Sequence, residues 1–148
     1  MERYVGEHNL DTVYFFGFRN RLELPKFYAA SDIFVLPSLR ETWGMVVNEA
    51  LCFGLPVIVS DQVGSAEDLV RHGYNGLIFP NGNVEALASS IKSLMELSEE
   101  DKILMGRRSK ELIKGWSQRD LAESLATYLD SYYQRREIPG DKHPTRTV

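Results

Sequence analysis

A long apolar stretch from Phe34 to Ser60 constrains this chain more than any other feature. It reads FVLPSLRETWGMVVNEALCFGLPVIVS, and Glu49 is the only charged residue between Glu41 and Asp61. Such stretches build protein cores, and an ionised carboxylate is almost never fully buried unless a partner or hydrogen bonds compensate it. Glu49 is therefore predicted to receive hydrogen bonds, either from the protein or from a ligand rich in hydroxyl groups.

Short apolar runs alternate with helical patterns along the chain. The runs predict strands at residues 13–17, 33–36, 56–60 and 76–79, and the patterns predict helices at 22–30, 45–53, 66–71, 84–97 and 99–114. Ser117 is predicted to cap a last long helix that runs to about Arg136, followed by a disordered tail at 137–148. Because the strands are apolar rather than alternating, they predict an α/β fold with a parallel sheet covered on both faces.

Composition limits the function classes. The 148 residues suit one domain, and the net charge of −4 argues against nucleic-acid binding. The single cysteine, Cys52, excludes a disulfide framework, and no apolar run reaches the roughly 18 residues of a membrane helix. Membrane association is therefore not evident, and a cytoplasmic location is expected. His8, His72 and His143 show no metal-ligand spacing, so no metal is expected.

The carboxyl ends of parallel strands are where ligands bind in such sheets, which makes the turns at 17–21, 37–44 and 60–65 the predicted edge of a site. The backbone N–H groups of Gly44, Met45 and Val46 open a predicted helix and form a natural cradle for an anion. Glycine at 44 would let a phosphate or a sugar approach the backbone closely. Glu49 lies one helical turn beyond Met45, and Glu41 lies in the loop before the helix. This combination suits a ligand with a central diphosphate and a polyol at each end, the shape of a nucleotide-sugar.

Simpler interpretations of the two glutamates are open at this point. Two glutamates eight positions apart occur often by chance. Glu41 could be a solvated loop charge, and Glu49 could pair with a nearby arginine such as Arg40.

Residues 31–60, SDIFVLPSLRETWGMVVNEALCFGLPVIVS, resemble the pattern ADIFVLPSLxExFGxxxxEAxxxGxPVIxS. That pattern belongs to retaining, nucleotide-sugar-dependent glycosyltransferases of the glycosyl transferases group 1 family, which carry an E-x7-E motif and two Rossmann domains (the GT-B architecture). The segments FFGF, LPKFYAASD, VGSAEDLVRHGYNGLIFP and NVEALASSI, with the late Trp-Ser pair, continue the resemblance over about residues 1–135. It implies that residues 1–136 are an incomplete donor-binding domain. The implied fold is a partial Rossmann-like parallel sheet of about four strands, flanked by helices, with a helical C-terminal segment.

The resemblance also implies roles for individual residues. Glu41, the implied catalytic residue, would contact the donor-sugar hydroxyls where the anomeric centre reacts. Glu49 would hold the ribose hydroxyls, and the amides of residues 44–46 would meet the sugar and the diphosphate. Trp43 stands where family members usually have phenylalanine and is counted with the substrate-binding residues.

A second implied contact is with the base. The turn formed by Gly17, Phe18 and Arg19 would border it, chiefly through backbone groups, which leaves UDP, GDP and ADP open. No cofactor or metal is expected beyond the nucleotide-diphosphate sugar itself. Gly64-Ser65 replaces a commoner glycine pair of the family.

Family enzymes also have an N-terminal acceptor domain and two further strands, followed by the Arg and Lys that grip the diphosphate. The family strand order, 3-2-1-4-5-6, separates the run at 13–17 from the other three strands. This chain is therefore expected to be inactive alone, to need the missing domain or a second chain, and to form homo-oligomers, re-pair its strands or be marginally folded.

The leading hypothesis is the donor-binding part of a transferase that moves a hexosyl-type sugar to an unknown acceptor, with polysaccharide or glycolipid synthesis a family-level expectation. One alternative is a non-catalytic, truncated binding or assembly module. Another is a related enzyme of the same architecture, such as a nucleotide-sugar epimerase or a phosphorylase. A signalling receiver domain is less favoured, because the acidic cluster that it needs is absent from the sequence.

Overall fold

The computed structural model describes residues 1–116, 122, 123, 125–129 and 131. The last eight of these are helical. The remainder of the helix predicted from Ser117, including its predicted cap, and the predicted tail at 137–148 lie outside the described residues.

Three parallel strands form the sheet, in the order β1 (Phe34–Leu36), β2 (Val57–Ser60) and β3 (Gly76–Phe79). β2 lies in the centre, with Ile58 opposite Val35 on one side and Leu77 on the other. Every residue of β2 is buried, as expected for a strand that is covered on both faces. The α/β class and the parallel sheet predicted from the apolar runs are confirmed.

The run at residues 13–17 is not a strand, so the sheet has three strands in the described part of the chain rather than about four. Strands are stable only when neighbours satisfy their backbone N–H and C=O groups. In the described part of the chain, no strand lies beside this segment to do so. The segment leaves large side chains in solvent, with Tyr14 73% and Phe16 55% exposed.

Six α-helices and one 3₁₀ helix accompany the strands in residues 1–116. They are α1 (Glu2–Glu7), α2 (Leu24–Ala29), α3 (Met45–Phe53), α4 (Ala66–Leu69), α5 (Val84–Met95), α6 (Glu99–Ile113) and a 3₁₀ helix (Lys114–Trp116). The bounds of α3 match the prediction, because Gly54 ends the helix in a left-handed conformation. Asn83 caps α5 and Ser98 caps α6 by accepting N–H groups of their first turns.

Helix α4 ends at Leu69 and is shorter than the predicted 66–71. The buried side chain of Asn75 provides the reason. It donates to the carbonyl oxygen of Leu69 at 3.0 Å and accepts the N–H of Arg71 at 2.8 Å. These bonds replace the helical pattern, and Val70 turns into extended backbone.

The core has one layer on each face of the sheet. Val57 and Val59 of β2 point into a cluster with Leu51 of α3, whereas Ile58 points to the other face and meets Leu94 of α5. Alternate residues of the central strand thus pack against different helices.

Helix α6 holds α3 in place through a close backbone contact. A side chain on Gly106 would collide with the carbonyl oxygen of Gly54, which ends α3. The hydroxyl of Ser109, fully buried, donates to the carbonyl oxygen of Leu55 at 2.9 Å. No helix in the described part of the chain is long and apolar enough to cross a membrane.

We expect Gly106→Ala to lower the free energy of unfolding by about 1–3 kcal/mol, because the added methyl forces α6 away from α3. Gly115→Ala is the matched control, since no heavy atom of the described residues outside its own chain neighbours lies within 4 Å of its added carbon. Urea unfolding followed by circular dichroism measures both. Equal midpoints for the two variants would show that the helices do not meet as described.

The exposed segment at 13–18 leads us to expect self-association, because exposed aromatic side chains such as Tyr14 and Phe18 favour contact with a second molecule. Tyr14→Ser combined with Leu22→Ser should shift the chain towards monomer; Leu22 is 87% exposed. Met95→Ser, which removes a side chain that is 65% exposed on α5, should not. Sedimentation velocity at micromolar concentrations is the measurement, and a wild-type chain that is monomeric throughout would contradict the expectation.

Candidate functional site

The loops that follow the three strands are joined at the carboxyl-terminal edge of the sheet. The Ser60 hydroxyl donates to the carbonyl oxygen of Ser38 at 2.6 Å. The side chain of Asn81 donates to the carbonyl oxygen of Leu39 at 2.9 Å, and its backbone N–H donates to Asp61 Oδ1 at 3.0 Å. The structure therefore brings together the predicted site edges at 37–44 and 60–65.

The main chain of Glu41 is fixed by the loop that follows β2. Its N–H donates to the carbonyl oxygen of Gln62 at 3.0 Å, and its own carbonyl oxygen accepts the N–H of Gly64 at 2.9 Å. Two residues on, the N–H of Ser65 donates to the carbonyl oxygen of Trp43 at 2.9 Å. We call this set of three hydrogen bonds the loop clamp. Because the clamp holds the backbone on both sides, the Glu41 carboxylate starts from a fixed position.

Gly64 is required by this close approach. A side chain there would collide with the backbone carbonyl of Thr42. The neighbouring Ser65 is fully buried, and its hydroxyl oxygen has no hydrogen-bond partner among the described residues. The two neighbouring positions therefore differ in the space around them. Position 64 has no space for a side chain, whereas position 65 holds the buried side chain of serine.

Gly44 has a structural reason to be glycine that the sequence did not reveal. Its φ of +87° lies in the left-handed region. A side chain there would lie 3.1 Å from Val63 and 3.3 Å from both Glu41 Cγ and Leu36. Protein therefore fills the space on that side of Gly44, where the sequence suggested close approach of a ligand, and the Glu41 side chain is packed beside the start of α3.

The tip of α3 carries free hydrogen-bond donors. Within the described residues, the N–H groups of Gly44, Met45 and Val46 have no acceptor, and the first bond at this end runs from the N–H of Val47 to the carbonyl oxygen of Gly44 at 2.8 Å. Gly44 is buried, Met45 is exposed and Val46 is half-buried. Free amides together with the positive end of the helix dipole favour an anion here.

The half-buried carboxylate of Glu49 accepts a hydrogen bond from the Tyr28 hydroxyl, 2.9 Å from Oε2. No ion pair joins it to Arg40, which is exposed, or to any other cation in the described residues. Burial of the phenol, with the neighbouring carboxylate adding to the effect, raises the pKa of Tyr28 well above its usual range. Tyr28 therefore stays a protonated donor at neutral pH. It lies 21 residues before Glu49 on another helix, so no sequence spacing could have revealed it.

Trp43 is anchored within the protein. Its indole N–H donates to Asn48 Oδ1 at 3.0 Å, and its ring lies 5.4 Å from the ring of Trp116 at the end of the 3₁₀ helix. The backbone N–H of Trp43 also reaches Glu41 Oε1, at 3.4 Å. The sequence did not suggest the partners Asn48 and Trp116.

The predicted base-binding turn lies apart from these contacts. Gly17 has a φ of +64°, and the Phe18 side chain is in solvent. Arg19 forms an ion pair with Glu23 at 3.9 Å, and its guanidinium lies 6.0 Å from the centre of the Phe27 ring. No hydrogen bond, ion pair or ring contact in the described residues links this turn to α3 or the clamped loops. Its role at the base stays a prediction.

The arrangement of metal-binding side chains bears on whether the site can hold an ion. Among the described residues, no group of three or more His, Cys, Asp and Glu side chains is arranged to hold an ion. The expectation that no metal is needed stays a prediction, since a diphosphate can itself supply ligands.

Comparison with known proteins gives the family. Residues 1–112 match the sequence family described as glycosyl transferases group 1. The chain is 35% identical over 92 residues, 60% of its length, to the sulfoquinovosyl transferase SQD2 of Arabidopsis thaliana. It is 35% identical over 108 residues, 72% of its length, to a GDP-mannose-dependent alpha-mannosyltransferase of Mycobacterium tuberculosis.

The chain is also similar in fold to a solved structure. The structure of Anabaena Alr3699/HepE in complex with UDP and glucose superposes with a TM-score of 0.74 at 27% identity, over 88% of this chain and 35% of that one. The chain belongs to the glycosyl transferases group 1 family. It spans 18% of the plant protein and 28% of the mycobacterial one.

We expect Gly64→Ala to open the loop clamp, because the new methyl collides with the Thr42 carbonyl. In a Trp116→Phe background Trp43 is the sole tryptophan, so its fluorescence reports on the loop. Its emission should move to longer wavelength as water enters, and unfolding should cost about 1–3 kcal/mol less.

Gly6→Ala, made in the same background, is the control for this measurement, since its added carbon meets no heavy atom within 4 Å. An emission spectrum that Gly64→Ala leaves unchanged would contradict the clamp.

Proposed function

We propose that this chain is the nucleotide-sugar-binding part of a retaining glycosyltransferase that transfers a hexosyl-type sugar from a nucleotide-diphosphate donor to an acceptor hydroxyl. The observation that carries the proposal is the free tip of α3, flanked by the carboxylates of Glu41 and Glu49. Family membership supports the reaction class, and the geometry supports the assignment of residues.

The arrangement divides the donor between three groups. The amides of residues 44–46 offer hydrogen bonds to diphosphate oxygens, for which the helix dipole adds attraction. Glu49 lies four residues beyond Met45, about 6 Å along the helix axis, which is a suitable reach for a ribose next to the diphosphate. Glu41 lies in the loop before the helix, with Oε1 3.4 Å from the backbone nitrogen of Trp43, and would contact the transferred sugar.

The charges of Glu41 and Glu49 support the same placement of the sugar, the diphosphate and the ribose. A carboxylate repels a phosphate but accepts hydrogen bonds from hydroxyl groups. Two carboxylates beside one anion-binding helix tip therefore favour a ligand that alternates polyol, diphosphate and polyol. An inorganic phosphate or a polyphosphate would meet repulsion from both sides.

The base is left open by this geometry. Relatives point in two directions, since one is named for GDP-mannose and another was solved with UDP and glucose. UDP, GDP and ADP, with their sugars, are therefore the ligands to test. The expectation that the chain does not turn over alone stays a prediction, so equilibrium binding is the appropriate measurement.

We expect Glu49→Gln to weaken a bare nucleoside diphosphate and its sugar conjugate equally, because both contain the ribose. Glu41→Gln should weaken only the conjugate. Each loss should be about 1–3 kcal/mol, the cost of a charge-assisted hydrogen bond. Isothermal titration calorimetry with UDP, GDP and ADP, and with UDP-glucose, GDP-mannose and ADP-glucose, gives the comparison.

Glu85→Gln, an exposed glutamate in the first turn of α5, is the control for charge alone. The proposal fails if none of these ligands binds the wild-type chain, or if both site variants bind all of them as tightly as Glu85→Gln does.

A further inference from the structure

Tyr28 is the sole hydrogen-bond partner of the Glu49 carboxylate among the described residues. It comes from α2, and its hydroxyl lies 2.9 Å from Glu49 Oε2. Only 8% of Tyr28 is exposed, so water competes little for this hydrogen bond. A buried hydroxyl needs a partner, and here that partner is the carboxylate that the proposed function places on the ribose.

The Tyr28 ring is held from two sides. It stacks on Phe53 of α3 at 5.4 Å between ring centres and lies 6.0 Å from Phe34 of β1. Aromatic contacts of this kind restrict both side-chain torsions of a tyrosine. The position of the hydroxyl oxygen is thereby restricted, and with it the side from which the carboxylate receives its hydrogen bond.

The choice of a neutral donor has a consequence for binding. An arginine or lysine partner would neutralise Glu49 and compete for both of its oxygens. Tyr28 occupies one site on Oε2 and leaves the negative charge in place. Oε1 has no hydrogen-bond partner within the described residues, so it can accept a hydrogen bond from a hydroxyl group. A carboxylate with such acceptor sites can receive hydrogen bonds from two adjacent hydroxyls on one sugar ring.

We propose that Tyr28 is a positioning residue that orients the Glu49 carboxylate towards the vicinal 2′- and 3′-hydroxyls of a ribonucleotide. In this role Tyr28 sets the preference of the site for ribonucleotides over nucleotides that lack these two hydroxyls. The proposal rests on the proposed function, in which Glu49 meets the ribose. It adds a residue that does not touch the ligand and a selectivity that depends on it.

Tyr28→Phe is the test, because it removes one oxygen and keeps the ring packing. Binding of UDP, GDP and ADP and of their 2′,3′-dideoxy analogues is measured by calorimetry on the 148-residue chain. The variant should bind the preferred ribonucleotide about 3- to 10-fold more weakly, and should bind its dideoxy analogue with unchanged affinity. The ribose preference of the wild type should shrink by the same factor.

Two further variants make the result specific. Tyr74→Phe removes a hydroxyl from a tyrosine that is 37% exposed near α6 and should change neither affinity. In a Glu49→Gln background, Tyr28→Phe should cost much less than it does alone, because the carboxylate that it orients is gone.

The outcomes separate the two proposals. Equal weakening of ribonucleotide and dideoxynucleotide by Tyr28→Phe, no weakening at all, or full additivity with Glu49→Gln overturns the role of Tyr28 and leaves the proposed function standing. A wild-type chain that binds none of the nucleotides overturns both.

Discussion

The clamp between the loops after β1 and β2 is the constraint on which the site depends. A short set of backbone hydrogen bonds holds Glu41 and Trp43 against residues 62–65, and it forms only because Gly64 has no side chain to meet the Thr42 carbonyl. The same contact determines where α3 begins, since Val63 packs against the turn at Gly44. The loop that carries Glu41 and the tip of α3 are thereby positioned together rather than separately.

Helix α3 joins the core to the site. Its buried face packs on the sheet, and its end at Gly54 rests against α6 with no space for another side chain. Its half-buried face presents Glu49 to Tyr28 of α2. A carboxylate at the edge of a core is costly unless it is satisfied, and a neutral phenol satisfies it while leaving its charge available. The hydrogen bond from Tyr28 therefore stabilises Glu49 in the fold without removing the charge that the proposed binding role requires.

Sequence reasoning failed where the answer depends on distant parts of the chain. The run at 13–17 has the composition of a strand, but composition cannot supply the neighbour that a strand requires, and the described sheet contains no partner for it. Helix α4 ends earlier than predicted because the side chain of Asn75 forms hydrogen bonds with the backbone of Leu69 and Arg71. Glycine at 44 was assigned to ligand approach, whereas a left-handed φ and packing against Val63 already require it.

The amino-acid sequence alone determined the α/β class, the three parallel strands and the bounds of α3. The signals were the apolar runs, the glycines that end helices and the helix-capping residues. These features could be predicted because they depend on local preferences and on the burial of whole segments. The sequence also marked Glu41 and Glu49, since charge inside an apolar stretch demands a reason. Tertiary structure alone decided that Tyr28 satisfies Glu49 and that Gly64 fixes Glu41. Contacts between residues 21 or more apart arise from packing geometry, which leaves no periodic trace along the chain.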